Sequence, residues 1–129
     1  MARASDAFRT ISRGAYIGLA SQPNKDSEDL VALGADHSSK LASQLSKGTR
    51  FQLYLALRFA GYCEFARLRP PVPFIADDIL ETFDNERAEE ALRLLAGIGE
   101  VGQAIYLTHH RHLCDIALNV CPAARLHQL

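Results

Sequence analysis

Two adjacent carboxylates, Asp77 and Asp78, are the residues of this sequence with the clearest capacity for chemistry. They end a short apolar run, residues 72–78, which is bounded by prolines and predicts a buried strand. His109 follows a second apolar run at 103–107, and Asp84 lies between the two runs. A carboxylate pair with a nearby histidine suits a hydrated Mg²⁺ and general-base chemistry on a phosphate. The alternative is that the aspartates form only a strand-end turn.

A second group of polar residues opens a long helical pattern. It consists of Ser46, Lys47, Gly48 and Thr49. The exposed N–H groups of a helix start, with a hydroxyl and a glycine, make an anion site. An ordinary helix cap with Ser46 as the N-cap is the alternative, and the local pattern alone favours it.

A histidine-rich stretch, residues 109–114, resembles a metal motif at first sight. His110 and Cys114 could share a helix face, but zinc sites usually need paired ligands at two separated places, and no second pair is evident. The three cysteines have no short repeated spacing, so a disulfide framework is not indicated. A structural zinc site is therefore disfavoured.

The surrounding elements explain how these groups could meet. A helix is predicted over about 49–65, ending before the prolines, and a second helix starts at Asp84 or Asn85 and stops at Gly97 and Gly99. Strand, helix and strand form a parallel βαβ unit, so both strand ends should reach one edge of the sheet. Residues 11–35 predict an antiparallel hairpin with a turn at 22–27, residues 1–9 a helical turn or frayed end, and 36–40 a polar break. A last helix carries Leu113, Ile116, Ala117 and Val120.

Composition excludes several classes of protein. The chain has 129 residues, enough for one domain over 1–129, and a net charge of −1, which provides no electrostatic footprint for nucleic acid or an anionic membrane. No apolar run approaches the length of a membrane span, and the polar start lacks the apolar core of a signal peptide, so we expect a cytoplasmic protein. The sequence contains no GxxxxGK(S/T), GxGxxG or GxSxG motif.

The order of the motifs resembles the C-terminal lobe of an ABC-type ATPase head of the SMC and YhaN-like coiled-coil branch. Residues 45–49 are similar to the signature motif, usually written LSGGQ, and 74–78 to the Walker B strand. Residues 81–84 are similar to the D-loop and 107–109 to the switch-histidine loop. The resemblance covers about residues 45–117 and implies a partial P-loop NTPase fold of the α/β class, with a parallel βαβ core and an N-terminal hairpin but no P-loop lobe.

The resemblance also implies roles for individual residues. Asp77 would hold Mg²⁺, Asp78 would be the general base and His109 would contact the γ-phosphate. Ser46 and Gly48, within the signature formed with Lys47 and Thr49, would bind ATP held by a second head, and Asp84 would act across the dimer interface. Two departures stand out: the base position usually carries Glu, and Lys47 and Thr49 replace Gly and Gln.

Three hypotheses follow. The leading one is the C-terminal half of an ATPase whose parent acts in DNA repair or chromosome maintenance, inactive until a P-loop lobe is supplied in cis or in trans together with Mg²⁺ and ATP. The second is a stand-alone protein-binding module that keeps the fold without catalysis. The third is a small metal-dependent phosphohydrolase using Asp77, Asp78 and His109. Because a half head leaves sheet surface uncovered, we also expect a homo-oligomer.

Overall fold

The computed structural model describes residues 2–70, 72–81 and 83–129. It divides into two compact units, Met1–Gly61 and Tyr62–Leu129. The single domain expected over 1–129 remains a prediction. Within the described ranges, no helix has the length and apolar character needed to cross a bilayer.

The first unit contains the predicted antiparallel hairpin. Strand β1 (Tyr16–Asn24) pairs with β2 (Ser27–Gly34) up to the Asn24–Ser27 pair. The turn is therefore shorter than the predicted 22–27, because the polar residues before it belong to the ladder. The Ser21 hydroxyl donates to the Glu28 carboxylate at 2.7 Å across the two strands. Such cross-strand bonds stabilise the exposed, polar end of the hairpin.

Two elements of this unit are more regular than the sequence predicts. The start of the chain forms a regular helix, α1 (Ala2–Ile11), whose buried side chains follow helical spacing: Ala4, Ala7, Phe8 and Ile11. The Phe8 ring stacks on Tyr16 at 5.0 Å. The predicted polar break contains a short third strand, β3 (Ser39–Leu41), because its backbone pairs with β2 although its side chains are exposed or half-buried.

The long helix α2 (Lys47–Leu68) leads from the first unit into the second. It contains the predicted 49–65 helix and extends it at both ends. It ends just before Arg69 and Pro70, as the proline predicts.

The second unit is the predicted parallel βαβ unit followed by a last helix. Strands β4 (Pro73–Asp77) and β5 (Gln103–Leu107) pair in parallel and are linked by helix α3 (Asn85–Val101), with α4 (Arg111–Val120) after them. The predicted end of α3 at Gly97 and Gly99 is wrong, since the helix continues through both. Burial of Ile98 between them, at 0% exposure, outweighs the cost of about 1 kcal/mol that each internal glycine carries.

The strand β4, predicted to be buried, is buried on one face only, which agrees with the expectation that a half head leaves sheet surface uncovered. Ala76 is buried, but Ile75 is 60% exposed, and its partners across the sheet on the same face, Ile105 and Leu107, are 37% and 43% exposed. Parallel strands normally have both faces covered. We call Ile75, Ile105 and Leu107 the open sheet face.

Tyr62 anchors the starts of both strands. Its hydroxyl donates to the Val72 carbonyl at 2.6 Å and accepts from the Gln103 N–H at 3.4 Å, and its ring packs edge-on against Phe74. The side chain is 9% exposed, so loss of the hydroxyl would remove the partner that the Val72 carbonyl and the Gln103 N–H share.

We predict that Tyr62→Phe lowers the free energy of unfolding by about 1 kcal/mol, the net contribution of a typical hydrogen bond. Urea unfolding followed by circular dichroism measures it. Tyr54→Phe is the matched control, since Tyr54 lies on the same helix and is 54% exposed. Equal stability of the two variants would contradict the anchoring role.

Candidate functional site

The carboxyl ends of β4 and β5 meet at one edge of the sheet, as predicted. Asp77 pairs in register with Leu107, and the Asp78 N–H donates to the Leu107 carbonyl at 2.7 Å. The carboxylate pair and the polar turn 108–110 therefore occupy the position where open α/β sheets bind ligands.

Asp78 leaves the strand in a left-handed backbone conformation, with φ of +50°. Aspartate tolerates this region better than most residues. The Thr108 hydroxyl donates to Asp78 Oδ1 at 3.1 Å, which fixes the carboxylate at the sheet edge. Asp78 is half-buried, whereas Asp77 is exposed.

Asp77 and Asp78 offer hard oxygen donors, the type that Mg²⁺ prefers. Exposure of Asp77 leaves its carboxylate free to reach an ion through water. This donor set fits Mg²⁺, although magnesium sites in phosphoryl-transfer proteins also draw oxygens from the nucleotide.

His110 lies close to Asp78. One donor atom each from Asp78, Glu81 and His110 lies within 4.8 Å of the others. The His110 backbone N–H donates to Thr108 Oγ1 at 3.1 Å, so the same threonine positions both residues. His109 is exposed in the turn.

Sequence reasoning missed the grouping of Glu81 and His110 with Asp78. The spacing of Glu81 from the strand end gives a weak signal, since a tight turn after a strand can fold back on it. The sequence pattern relates His110 only to Cys114, along one helix.

Asp84 acts as the N-cap of α3, as predicted. Its Oδ1 accepts from the Arg87 N–H at 2.8 Å, and its Oδ2 lies 2.5 Å from Arg87 Nη1. Both carboxylate oxygens thus serve the first turn of the helix. Its action across a dimer interface remains a prediction.

The polar residues at the start of α2, Ser46 to Thr49, lie in the first unit, and we call them the helix-start group. Ser46 Oγ accepts from the Thr49 N–H at 3.2 Å and donates to Thr49 Oγ1 at 2.8 Å, which is a helix cap. Ser46 and Lys47 are exposed, and a Cβ on Gly48 would have no atom within 4 Å. The cap interpretation is therefore correct, and a capped, open helix start is also able to receive an anion.

Comparison with known proteins identifies the fold to which this arrangement belongs. No protein-family model matches the chain. It is 34% identical over 113 residues to the uncharacterized protein YhaN of Bacillus subtilis (strain 168), covering 87% of the chain and 11% of that protein. A crystal structure of the Pyrococcus furiosus Smc head domain, bound to the C-terminal domain of ScpA, matches 92% of the chain and 29% of its own length, with 18% identity and a TM-score of 0.68. The chain has a partial SMC-head fold.

This SMC-head likeness confirms the ABC-type ATPase head fold expected from the motif order. A structure from work on ATP-driven dimerization and DNA-stimulated activation of SMC ATPases also matches, with 18% identity and a TM-score of 0.63, over 90% of this chain and 73% of that one. The chain spans about a tenth of YhaN, 11%, so it corresponds to one part of a much longer relative.

Within the SMC-head fold, Tyr106 lies in β5, one residue before Leu107 at the end of the strand. Burial raises the pKa of its hydroxyl, and the negative charge of Asp78 adds to the rise, although the Thr108 hydroxyl opposes it. The folded chain therefore disfavours the ionised tyrosine more than the unfolded chain does.

We predict a loss of stability at high pH that depends on Tyr106. Below the ordinary pKa of 10.0 the hydroxyl is neutral in both states and the full stability is present. As the pH rises from there through the raised folded value, the unfolded chain ionises first and stability falls. Urea unfolding at about pH 9 and about pH 11 should show a larger loss for wild type than for Tyr106→Phe; equal losses would contradict the prediction.

Proposed function

We propose that this chain is the C-terminal half of an SMC-like ATP-binding cassette ATPase. It contributes the signature motif and the Walker B strand to ATP hydrolysis at a dimer of heads. The observation that carries the proposal is the meeting of Asp77 and Asp78 with the Thr108–His109 turn at the ends of two parallel strands. That arrangement occurs in a chain with the SMC-head fold.

The two aspartates divide the chemistry between them. Asp77 would hold Mg²⁺, which would supply neutralisation of charge on the phosphates. Asp78 orients the attacking water and accepts its proton, a task supported by the Thr108 hydroxyl that fixes its carboxylate at 3.1 Å. His109, exposed in the adjacent turn, contacts the γ-phosphate.

The helix-start group acts on the nucleotide of the partner head. The capped start of α2 presents Ser46, Lys47, Gly48 and Thr49 to the γ-phosphate of ATP held by a second head, with Asp84 working across the same interface. The related solved structure concerns ATP-driven dimerization of SMC ATPases, which supports this assignment. The parent protein then acts in the cytoplasm on DNA, in repair or chromosome maintenance.

The open sheet face is where the P-loop lobe packs. Ile75, Ile105 and Leu107 form an apolar patch on the one sheet that carries the aspartates. This chain covers 29% of the matching SMC head, so that head contains further chain outside the matched part. Such a lobe joins in cis or in trans and brings the P-loop that this sequence lacks.

ATP binding tests the proposal directly. Calorimetry should detect no micromolar affinity of the isolated chain for Mg–ATP, because the phosphates are mainly cradled by the P-loop backbone. Mixing the chain with the matching P-loop lobe should produce Mg²⁺-dependent hydrolysis. Micromolar ATP binding by the isolated chain, or an inactive mixture in which the two parts form a stable complex, would overturn it.

A stand-alone protein-binding module is the second candidate, and the open sheet face is the observation that favours it. In that case the face binds a dedicated partner that contains no P-loop. A stable, monodisperse chain that forms a stoichiometric complex with such a partner, and no ATP hydrolysis in that complex, would favour the module over the half head.

We predict that the isolated chain self-associates through the open sheet face. Ile75→Lys should convert a dimer or larger oligomer into a monomer, since a charge in the centre of the patch opposes its burial. Light scattering measures the change. Leu126→Lys is the matched control, because Leu126 is 53% exposed in the C-terminal tail; monomeric wild type, or dissociation by both variants, would contradict the prediction.

A further inference from the structure

The cluster of Asp78, Glu81 and His110 combines three side chains at the sheet edge, two from the segment after β4 and one from the turn before α4. Asp78 follows the last residue of the strand β4, Glu81 lies in the turn that comes next, and His110 precedes the first residue of α4. Their donor atoms all lie within 4.8 Å of one another. We propose that these three side chains form a binding site for a zinc-type divalent cation, distinct from the magnesium role of Asp77.

The distances are compatible with one shared ion. Ligand atoms at about 2.1 Å from a tetrahedral zinc ion are about 3.4 Å apart. The donor atoms lie within 4.8 Å of one another, so the longest separation must shorten by little more than an ångström. Glu81 is exposed and free to change rotamer, so it supplies the adjustment.

One threonine holds the other two ligands in place. The Thr108 hydroxyl donates to Asp78 Oδ1 at 3.1 Å and accepts from the His110 backbone N–H at 3.1 Å. The bond to Asp78 orients a ligating carboxylate, and such bonds raise metal affinity, whereas the bond at His110 holds its backbone at the same edge. Asp78 and His110 are half-buried and Glu81 is exposed, which leaves solvent access for the ion and for a coordinated water.

Charge also favours a cation here. Within the described ranges, neither Asp78 nor Glu81 forms an ion pair with a lysine or arginine. Two carboxylates held close together without a counter-charge attract a divalent ion. The imidazole selects the ion, since nitrogen ligands suit zinc-type metals, whereas Mg²⁺ prefers oxygen alone.

Metal binding to the isolated chain tests this site without any need for ATP. Zn²⁺ added to the metal-free chain should bind with one ion per chain by calorimetry, and Co²⁺ should give a visible absorption band that Zn²⁺ removes. Glu81→Gln and His110→Gln should each lower the affinity by about 10-fold or more, and Thr108→Val by about 10-fold. His110 makes no side-chain cap bond to α4, so its replacement leaves that helix start intact.

Two nearby side chains that are able to bind metal, but lie outside the proposed site, supply the controls. His112→Gln should leave the affinity unchanged, although its ring lies 5.7 Å from that of His110. Cys114→Ser should also leave it unchanged. No Zn²⁺ binding by the wild-type chain, unchanged affinity in the exposed Glu81→Gln variant, or a loss caused by Cys114→Ser would overturn the proposal.

Metal binding at this site would also affect hydrolysis, an effect that rests on the proposed function. An ion on Asp78 occupies the carboxylate that serves as the general base, so Zn²⁺ should inhibit the assembled ATPase in the presence of excess Mg²⁺. Glu81→Gln should weaken the inhibition. An assembly that never hydrolyses ATP would refute the proposed function and leave the metal measurement on the isolated chain intact.

Discussion

Asp78→Asn should lower the rate of ATP hydrolysis by the assembled head about 100-fold or more, the usual contribution of a general base. The amide cannot accept the proton of the attacking water. The rest of the site should persist, because asparagine also tolerates the left-handed backbone at φ of +50°. Its Oδ1 can still accept the hydrogen bond from Thr108.

Steady-state hydrolysis and ATP binding should be measured together on the chain assembled with its P-loop lobe. ATP affinity should stay within a few-fold of wild type, because binding depends mainly on the P-loop side. Asp115→Asn, an exposed carboxylate on α4, is the matched control and should be fully active. Hydrolysis at the wild-type rate by the Asp78→Asn variant would remove Asp78 from the chemistry and leave only the strand-end turn.

Ser46→Arg should abolish hydrolysis for a different reason. A bulky cation at the start of α2 blocks the approach of the ATP held by the partner head, and loss of one transition-state contact of this kind costs about 100-fold or more in rate. The substitution also removes the cap bond to the Thr49 N–H, at a cost of about 1 kcal/mol in stability. Thermal unfolding should show that the variant remains folded.

Mixing the two inactive variants separates action in trans from simple misfolding. In a two-fold symmetric dimer each site combines Asp78 of one head with Ser46 of the other. A mixed dimer of Ser46→Arg and Asp78→Asn therefore keeps one intact site. An equal mixture should recover about one quarter of wild-type activity, since half of the dimers are mixed and each has half of its sites. No recovery, with dimers demonstrably formed, would mean that the helix-start group does not act across the interface.

The motifs and the main elements were predictable from the sequence because their signals are local. Proline ends α2 by steric exclusion at Pro70, and Gln103–Leu107 is an apolar run bounded by polar breaks, which is typical of a strand. The Asp84 cap required only a residue type beside a helical pattern. The same local signal failed at Gly97 and Gly99, where burial of Ile98 outweighs the preference of glycine for helix ends.

The sequence by itself determined which residues could do chemistry: a carboxylate pair after a strand, a polar turn after the next, and a capped helix start. Only the tertiary structure decided which of them meet. Parallel pairing of β4 with β5 brings Thr108 and His110 to Asp78, and Glu81 joins them from the turn that begins at Asp78, where the backbone is left-handed. The sequence predicts the parallel pairing, but these side-chain contacts also depend on the backbone conformation at Asp78, which residue types alone do not specify. Exposure of Ile75 was likewise undetermined, because an apolar strand residue is buried only when another layer covers its face.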